Sequence, residues 1–190
     1  MAEPVKFLTG LYLGNETSFN SDGKYIQNSA RLGADVIDFS SIGKANVKYI
    51  LNSTPAIGTK VGSTTSQIRL TTSTKSLDMF NVGDVKFKGN INNWTIANLG
   101  KKATFSNSLR PTLTADLTHG VSLYSCPKLN YSFETKKFEY GGAMAGLKED
   151  FKKGLLKNVS LYAEAHASKD VGKVGYSGIS YIGGFTVKIP

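Results

Sequence analysis

Cysteine, histidine and tryptophan are scarce in this chain of 190 residues, which has one cysteine, two histidines and one tryptophan. A single cysteine, Cys126, excludes an internal disulfide and a cysteine-cluster metal site. His119 and His166 are too few for most histidine-rich metal sites. No Gly-rich phosphate loop, zinc-ligand spacing or EF-hand pattern is present either. We therefore predict no metal site and no cofactor.

Long apolar runs are also missing. No stretch of about eighteen apolar residues occurs, so the sequence predicts no transmembrane helix. The opening Met-Ala-Glu-Pro-Val-Lys lacks the apolar core of a signal peptide. Two interpretations stay open: a chain that carries no export signal, and a chain from which the signal has been removed.

Acidic residues are outnumbered, with 14 Asp and Glu against 23 Lys and Arg and a formal net charge of +9. Such an excess is typical of proteins that meet nucleic acid, an anionic membrane surface or anionic solutes. The lysines are dispersed along the chain, whereas nucleic-acid binders more often group them in a stripe. We therefore expect membrane lipid and small anionic solutes as partners, and no nucleic acid.

What the chain does have is alternation of apolar and polar residues, clearest in its last third. In VSLYAEAHAS (159–168) apolar side chains occupy one set of alternate positions and mostly polar ones the other. Successive side chains of a β-strand point to opposite faces, so this pattern predicts a strand with one apolar and one polar face. Residues 179–189, 109–118 and 121–133 alternate in the same way.

These stretches predict an all-β fold, an antiparallel up-and-down meander of about 10–12 strands in one domain over residues 1–190. Long strands, hairpin connections and the lack of a shortened edge strand favour a closed, transmembrane-type β-barrel over a sandwich or a jelly roll. In a soluble barrel the apolar faces would turn inward. About a dozen strands would then surround a lumen too wide for side chains to fill.

Several local features follow from composition. The Ser-, Thr-, Asn- and Gly-rich ranges 15–24 and 52–66 are predicted loops, and KEDFKKG (148–154) a loop or one helical turn. Pro127 should mark a bulge or a break in strand pairing. In a membrane protein Trp94 would fit the aromatic girdle at the headgroup boundary.

The stretches LRPTLTADLTHGVSLYS, LNYSFETKKFEYGGAMAGL and VSLYAEAHASKDVGKVGYSGISYIGGFTVKI together resemble bacterial outer-membrane β-barrel proteins as a class. The resemblance covers the second half of the chain and implies an outer-membrane location with lipid against the apolar face. Such proteins commonly end on an aromatic residue, whereas this chain ends Lys188-Ile189-Pro190. That departure leaves organellar and phage-encoded barrels open.

The strand phases select a set of charged side chains for the polar face. In a barrel of this type that face lines the lumen. Basic residues outnumber acidic ones in the set, so we expect a porin-like, wide and weakly anion-preferring pore, or a structural barrel with a weakly basic lumen. The predicted lumen-facing residues are Lys86, Lys88, Arg110, Asp116, Glu134, Lys136, Glu164, His166 and Lys188.

Two alternatives remain. Glu164, His166 and Ser168 share the polar face of one strand, and a serine nucleophile needs a histidine base and an orienting acid. The His-x-Ser pair also resembles the lipid A deacylases, but Lys169 follows the serine here where those enzymes have asparagine. We therefore expect three ordinary lumen residues and no enzyme.

The second alternative is a soluble β-rich structural protein of a virion or phage tail, with its apolar faces packed against another sheet or subunit.

Overall fold

Alternating residues build one antiparallel sheet of eleven strands, which closes on itself. The computed structural model describes residues 5–39, 42–54, 62–100, 103–117, 120–133, 136–154, 156–168 and 178–189. The strands are β1 (Lys6–Asn20), β2 (Tyr25–Phe39), β3 (Gly43–Thr54), β4 (Ser63–Thr74), β5 (Leu77–Val82), β6 (Val85–Leu99), β7 (Thr104–Asp116), β8 (Val121–Ser132), β9 (Lys137–Asp150), β10 (Val159–Ser168) and β11 (Ile179–Ile189).

Closure depends on two non-sequential contacts. The first strand pairs with the last, β1 with β11, and β4 pairs with β6. These pairings join ten strands into a ring, and the predicted all-β meander closed into a barrel is confirmed. The short β5 is the extra strand. It pairs with the first part of β6 while β4 pairs with the second, so β4 and β5 lie end to end along one neighbour.

The two faces of the sheet differ sharply. Within the described residues, 34 large hydrophobic side chains are exposed, whereas the buried hydrophobic residues are Ala45, Ile50 and Cys126. The buried polar or charged residues are more numerous: Ser29, Asn46, Asn52, Arg69, Thr71, Ser108 and Arg110. A water-soluble globular domain has the opposite arrangement. None of the described residues belongs to a helix of the length and hydropathy needed to span a bilayer.

Several predicted loops are shorter than expected. The range 15–24 is mostly strand, because β1 continues to Asn20 and only the turn before Tyr25 remains. The predicted 52–66 loop is cut from both sides by β3 and β4, and its residues 55–61 lie outside the described residues. Strand β9 likewise continues to Asp150, inside the predicted 148–154 loop. These predictions took polar composition as a sign of a loop, whereas one face of each strand in this barrel is polar.

A break in the ladder between β7 and β8 confirms the prediction for Pro127. The ladder pairs Leu109 with Leu129 and resumes where Leu113 pairs with Ser125. This register sets Pro111 directly opposite Pro127, and neither residue has a backbone N–H to donate. The three residues between the paired segments on each strand stay outside the ladder.

A bulge between β8 and β9 depends on a glycine in the left-handed region. The register shifts between Lys128 and Leu129, where Gly141 is the extra residue on β9. Gly142 has φ +117°, and a Cβ there would lie 2.1 Å from the carbonyl oxygen of Ala167. A side chain therefore fits neither the backbone angle nor the space.

We expect Gly142→Ala to lower the free energy of unfolding by more than about 1–2 kcal/mol, since it adds both left-handed strain and a backbone clash. Gly183→Ala is the matched control, because a Cβ there would meet no described atom within 4 Å and its φ is ordinary. Urea-unfolding midpoints of both variants in one detergent measure the difference. Equal midpoints would contradict this account of the bulge.

Candidate functional site

The polar face of the sheet lines the inside of the barrel and brings charged side chains from distant strands together. We call ten of the inward-facing side chains, charged, polar and aromatic, the waist, because they contact one another inside the barrel. Polar contacts or ring contacts link its members into three groups. The waist consists of Glu16, Arg31, Arg69, Trp94, Arg110, Tyr124, Lys128, Tyr162, Glu164 and His166.

The first group is an ion pair with a tyrosine bridge, and its two charged side chains are only 14% and 12% exposed. Arg31 on β2 forms an ion pair with Glu16 on β1. The Tyr162 hydroxyl on β10 donates to Glu16 Oε2 at 3.1 Å and accepts from Arg31 Nη1 at 3.1 Å. Tyr162 reaches past one strand to Glu16 and past two to Arg31, so the group ties two parts of the wall together.

The second group joins β8 and β10 across β9. The Tyr124 hydroxyl donates to Glu164 Oε1 at 2.5 Å. His166 Nε2 lies 2.6 Å from Glu164 Oε2, and His166 Nδ1 lies 2.9 Å from Lys128 Nζ. Both ring nitrogens of the histidine are therefore engaged, one by the carboxylate of Glu164 and the other by the amino group of Lys128.

The third group places two guanidinium groups against the ring of Trp94. The guanidinium carbon of Arg110 lies 3.5 Å from the Trp94 ring centroid, and that of Arg69 lies 4.1 Å from it. Arg69 pairs with Ile96 and Arg110 with Asn92, so the two arginines approach Trp94 from opposite directions along the barrel. The expectation that Trp94 joins an outer aromatic girdle is wrong, because its position in β6 falls on the inner face.

Positive charge exceeds negative charge around this stack. Lys48 on β3 pairs directly with Arg69 on β4, and no carboxylate within the described residues forms an ion pair with Lys48, Arg69 or Arg110. Arg110 Nε donates to Ser108 Oγ at 3.2 Å. Arg69 Nε and Thr71 Oγ1 are buried without a hydrogen-bond partner. Buried charges in proteins are normally paired, whereas the buried Arg69 and Arg110 have no ion-pair partner among the described residues.

Side chains from strands that are not neighbours meet inside the barrel at the waist. Tyr162 on β10 contacts Arg31 on β2, and Tyr124 on β8 contacts Glu164 on β10. Arg69 on β4 lies half-way round the ring from Tyr162 and is within electrostatic range of it. The waist side chains therefore occupy part of the barrel interior at this level.

The predicted lumen residues occupy different environments. Arg110, Glu164 and His166 belong to the waist. Lys88 forms a 2.6 Å ion pair with Asp116, and both side chains are about one-third exposed, at 33% and 37%. Lys86 and Lys188 lie on strands and are exposed, whereas Lys136 lies in the turn before β9 with φ +54°. Glu134 lies outside the described residues.

The predicted lumen set contains three of the ten waist residues and misses the other seven. Arg31 and Arg69 each alternate with outward apolar neighbours, and the same pattern that selected Arg110 could have selected them. Glu16 was missed because its range was predicted to be a loop. Lys128 follows Pro127, where the strand phase could not be carried through. No sequence signal indicates which of these side chains touch each other.

The arrangement does not place His166 as a base for Ser168. A general base needs a ring nitrogen available to accept the serine proton. Glu164 and Lys128 already engage Nε2 and Nδ1. Within the described ranges no group of three or more His, Cys, Asp or Glu residues could hold a metal ion.

Comparison with known proteins gives distant matches only. No family model matches the sequence, and no curated protein matches it. The outer membrane phospholipase A structure from Escherichia coli is 11% identical, with a TM-score of 0.41 and 99% of each chain covered. The calcium-bound dimer of the Salmonella typhi outer membrane phospholipase is also 11% identical, with a TM-score of 0.40, 95% of this chain and 90% of that chain covered. Similarity at this level assigns neither an activity nor a substrate.

The two ion pairs differ in exposure and give a testable contrast. Glu16→Gln leaves the largely enclosed Arg31 charge without its ion-pair partner, and such a change costs up to about 3–5 kcal/mol of stability. Asp116→Asn removes the partner of the partly exposed Lys88, which costs about 0–1 kcal/mol. Urea unfolding of both variants measures the two losses. Adding Arg31→Met to Glu16→Gln should restore most of the stability, and a double variant as unstable as the single one would contradict the pairing.

Proposed function

We propose that this chain is a membrane-spanning β-barrel of the outer-membrane type, whose basic interior admits small anions. The observation that carries the proposal is the inverted distribution of side chains, with large hydrophobic residues exposed on the strands and charged residues buried inside. Soluble proteins rarely expose continuous apolar surface of this extent, and lipid is the solvent that such a surface fits.

Strand length supports a bilayer location. The ten strands of the ring have 10 to 15 residues each, and a tilted strand needs about 9–11 residues to cross a membrane. Aromatic pairs lie towards both ends of the barrel, as headgroup-level girdles do. Phe19 contacts Tyr25 near one end, and Phe80 stacks on Phe87 near the other.

Polar side chains on the outer face satisfy one another. Asn15 and Asn28 exchange two hydrogen bonds of 2.9 Å across β1 and β2, and Asn28 also donates to Thr17 at 3.0 Å. On the opposite side of the barrel Asn107 donates to Thr95 at 3.0 Å. A polar group that faces hydrocarbon needs an internal partner because no water is available there.

The charge around the waist supports anion preference. Five basic and three acidic side chains of the inner face interact with one another electrostatically: Arg31, Lys48, Arg69, Arg110 and Lys128, with Glu16, Asp35 and Glu164. Such an excess lowers the energy barrier that anions meet and raises it for cations. The waist side chains that meet inside the barrel occupy part of the lumen, which favours a small conductance. A purely structural barrel would show no conductance at all.

An esterase is less well supported. The proposed acid, base and nucleophile share a strand, but His166 is engaged on both sides by Glu164 and Lys128. We therefore do not propose hydrolysis. Ser168→Ala should leave any residual activity on an acylated lipid unchanged.

Two leucines of equal exposure test the lipid-facing surface. Leu32 lies at the centre of β2 and is 51% exposed, and Leu156 lies in the turn between β9 and β10 and is 50% exposed. Leu32→Lys should destabilise the inserted barrel by about 2–4 kcal/mol, and Leu156→Lys by about 0–1 kcal/mol.

Folding into lipid vesicles, followed as a function of urea, measures both changes. Equal effects of the two lysines would contradict insertion. A chain that is folded and monomeric in buffer without detergent would also rule insertion out. Symmetric assembly in such buffer would instead support the virion alternative.

Reversal potentials in a planar bilayer under a KCl gradient test the ion preference. We expect anions to be preferred at low salt and the preference to fade as salt rises, because charges are screened over about 10 Å at 0.1 M. Lys86→Gln changes an exposed lysine near one end and should have less effect than Arg110→Gln at the waist. A cation preference would contradict the assignment, and the absence of conductance would indicate a structural barrel.

A further inference from the structure

We propose that the barrel holds a small oxyanion, of the size of inorganic phosphate or sulfate, against Arg69, Thr71 and Arg110 beside Trp94. The site is independent of whether ions cross the barrel. Arg69 and Thr71 are neighbours on the inner face of β4, and Thr71 pairs with Trp94 on β6. Arg110 reaches the same indole ring from β7.

The first argument is an unsatisfied set of donors. Arg69 is 8% exposed and Thr71 is 7% exposed, and Arg69 Nε and Thr71 Oγ1 have no hydrogen-bond partner among the described atoms. A buried donor without a partner costs about 1–3 kcal/mol, and more when it is charged. Two such atoms on adjacent inward positions of one strand indicate a shared acceptor between them.

The second argument is uncompensated charge. Lys48 and Arg69 form a direct cross-strand pair, an arrangement that destabilises a sheet when both residues carry the same charge. Arg31 and Arg110 lie within electrostatic range of Arg69, and Glu16, the acidic group that interacts with Arg69, is already paired with Arg31. A bound anion supplies the counter-charge that the protein does not provide here.

The third argument concerns the geometry of the guanidinium groups. Arg69 and Arg110 lie against the Trp94 ring, with their guanidinium carbons 4.1 Å and 3.5 Å from its centroid. Arg110 also donates from Nε to Ser108 and from Nη1 to Met144 Sδ, which fixes its position. The N–H groups of Arg69 and the remaining Nη2 of Arg110 can then donate to the oxygens of a phosphate or sulfate.

Trp94 is the only tryptophan in the chain and reports on this site directly. Purified protein in detergent is titrated with inorganic phosphate against chloride at constant ionic strength, and tryptophan emission is recorded. We expect a saturable change, with phosphate raising the urea-unfolding midpoint in parallel. In Arg69→Gln the affinity should fall at least about tenfold, because a hydrogen bond to a charged group is lost.

Thr71→Val is the decisive variant because it keeps every charge and most of the side-chain volume. Its affinity for phosphate should fall several-fold, whereas its stability without phosphate should equal or exceed that of the wild type. Lys86→Gln removes an exposed lysine elsewhere and should bind like the wild type. The proposal fails if the emission changes without saturating, or if Thr71→Val binds phosphate as tightly as the wild type does. Circular dichroism checks that each variant is folded. If Arg69→Gln does not fold, the phosphate affinity of Thr71→Val decides the proposal.

Discussion

Closure of one hydrogen-bonded sheet is the constraint on which the rest of this molecule depends. Pairing of β1 with β11 and of β4 with β6 closes the ten-stranded ring, and among the described strands only the short β5 keeps an unpaired edge. Backbone groups can then be satisfied without water, which is the condition for placing strands in hydrocarbon. Closure also separates the two faces completely, so that every outward residue meets one environment and every inward residue another.

Ten strands make a ring small enough for inward side chains to meet. Arg31 reaches Tyr162 past two strands, and Tyr124 and Lys128 on β8 both reach residues of β10. The result is an interior held by polar contacts where a soluble domain would have an apolar core. Charged groups in such a place are costly when unpaired, and the pairing of Glu16 with Arg31 offsets part of that cost. The remaining cations around Trp94 give the interior its basic character.

Alternation in the sequence was sufficient to predict the barrel and the direction of many side chains. Arg110 and Glu164 were assigned to the inner face because each lies between two apolar residues that point to the outer face of the strand. Glu16 was missed because β1 turns polar on both faces after Leu13, where the alternation disappears. The contact between Arg31 and Tyr162 joins residues 131 positions apart. Such a contact follows from strand order and register, which no local pattern contains.

The two opposed prolines leave a gap in the backbone hydrogen bonding of the wall. On either side of this gap the ladder between β7 and β8 is intact, from Asn107 to Leu109 and from Leu113 to Asp116. Neither proline has an N–H with which to bridge the gap. Each proline is paired on its other side instead, Pro111 with Ile91 of β6 and Pro127 with Ala143 of β9, so at this level the outer neighbours keep the two strands in line.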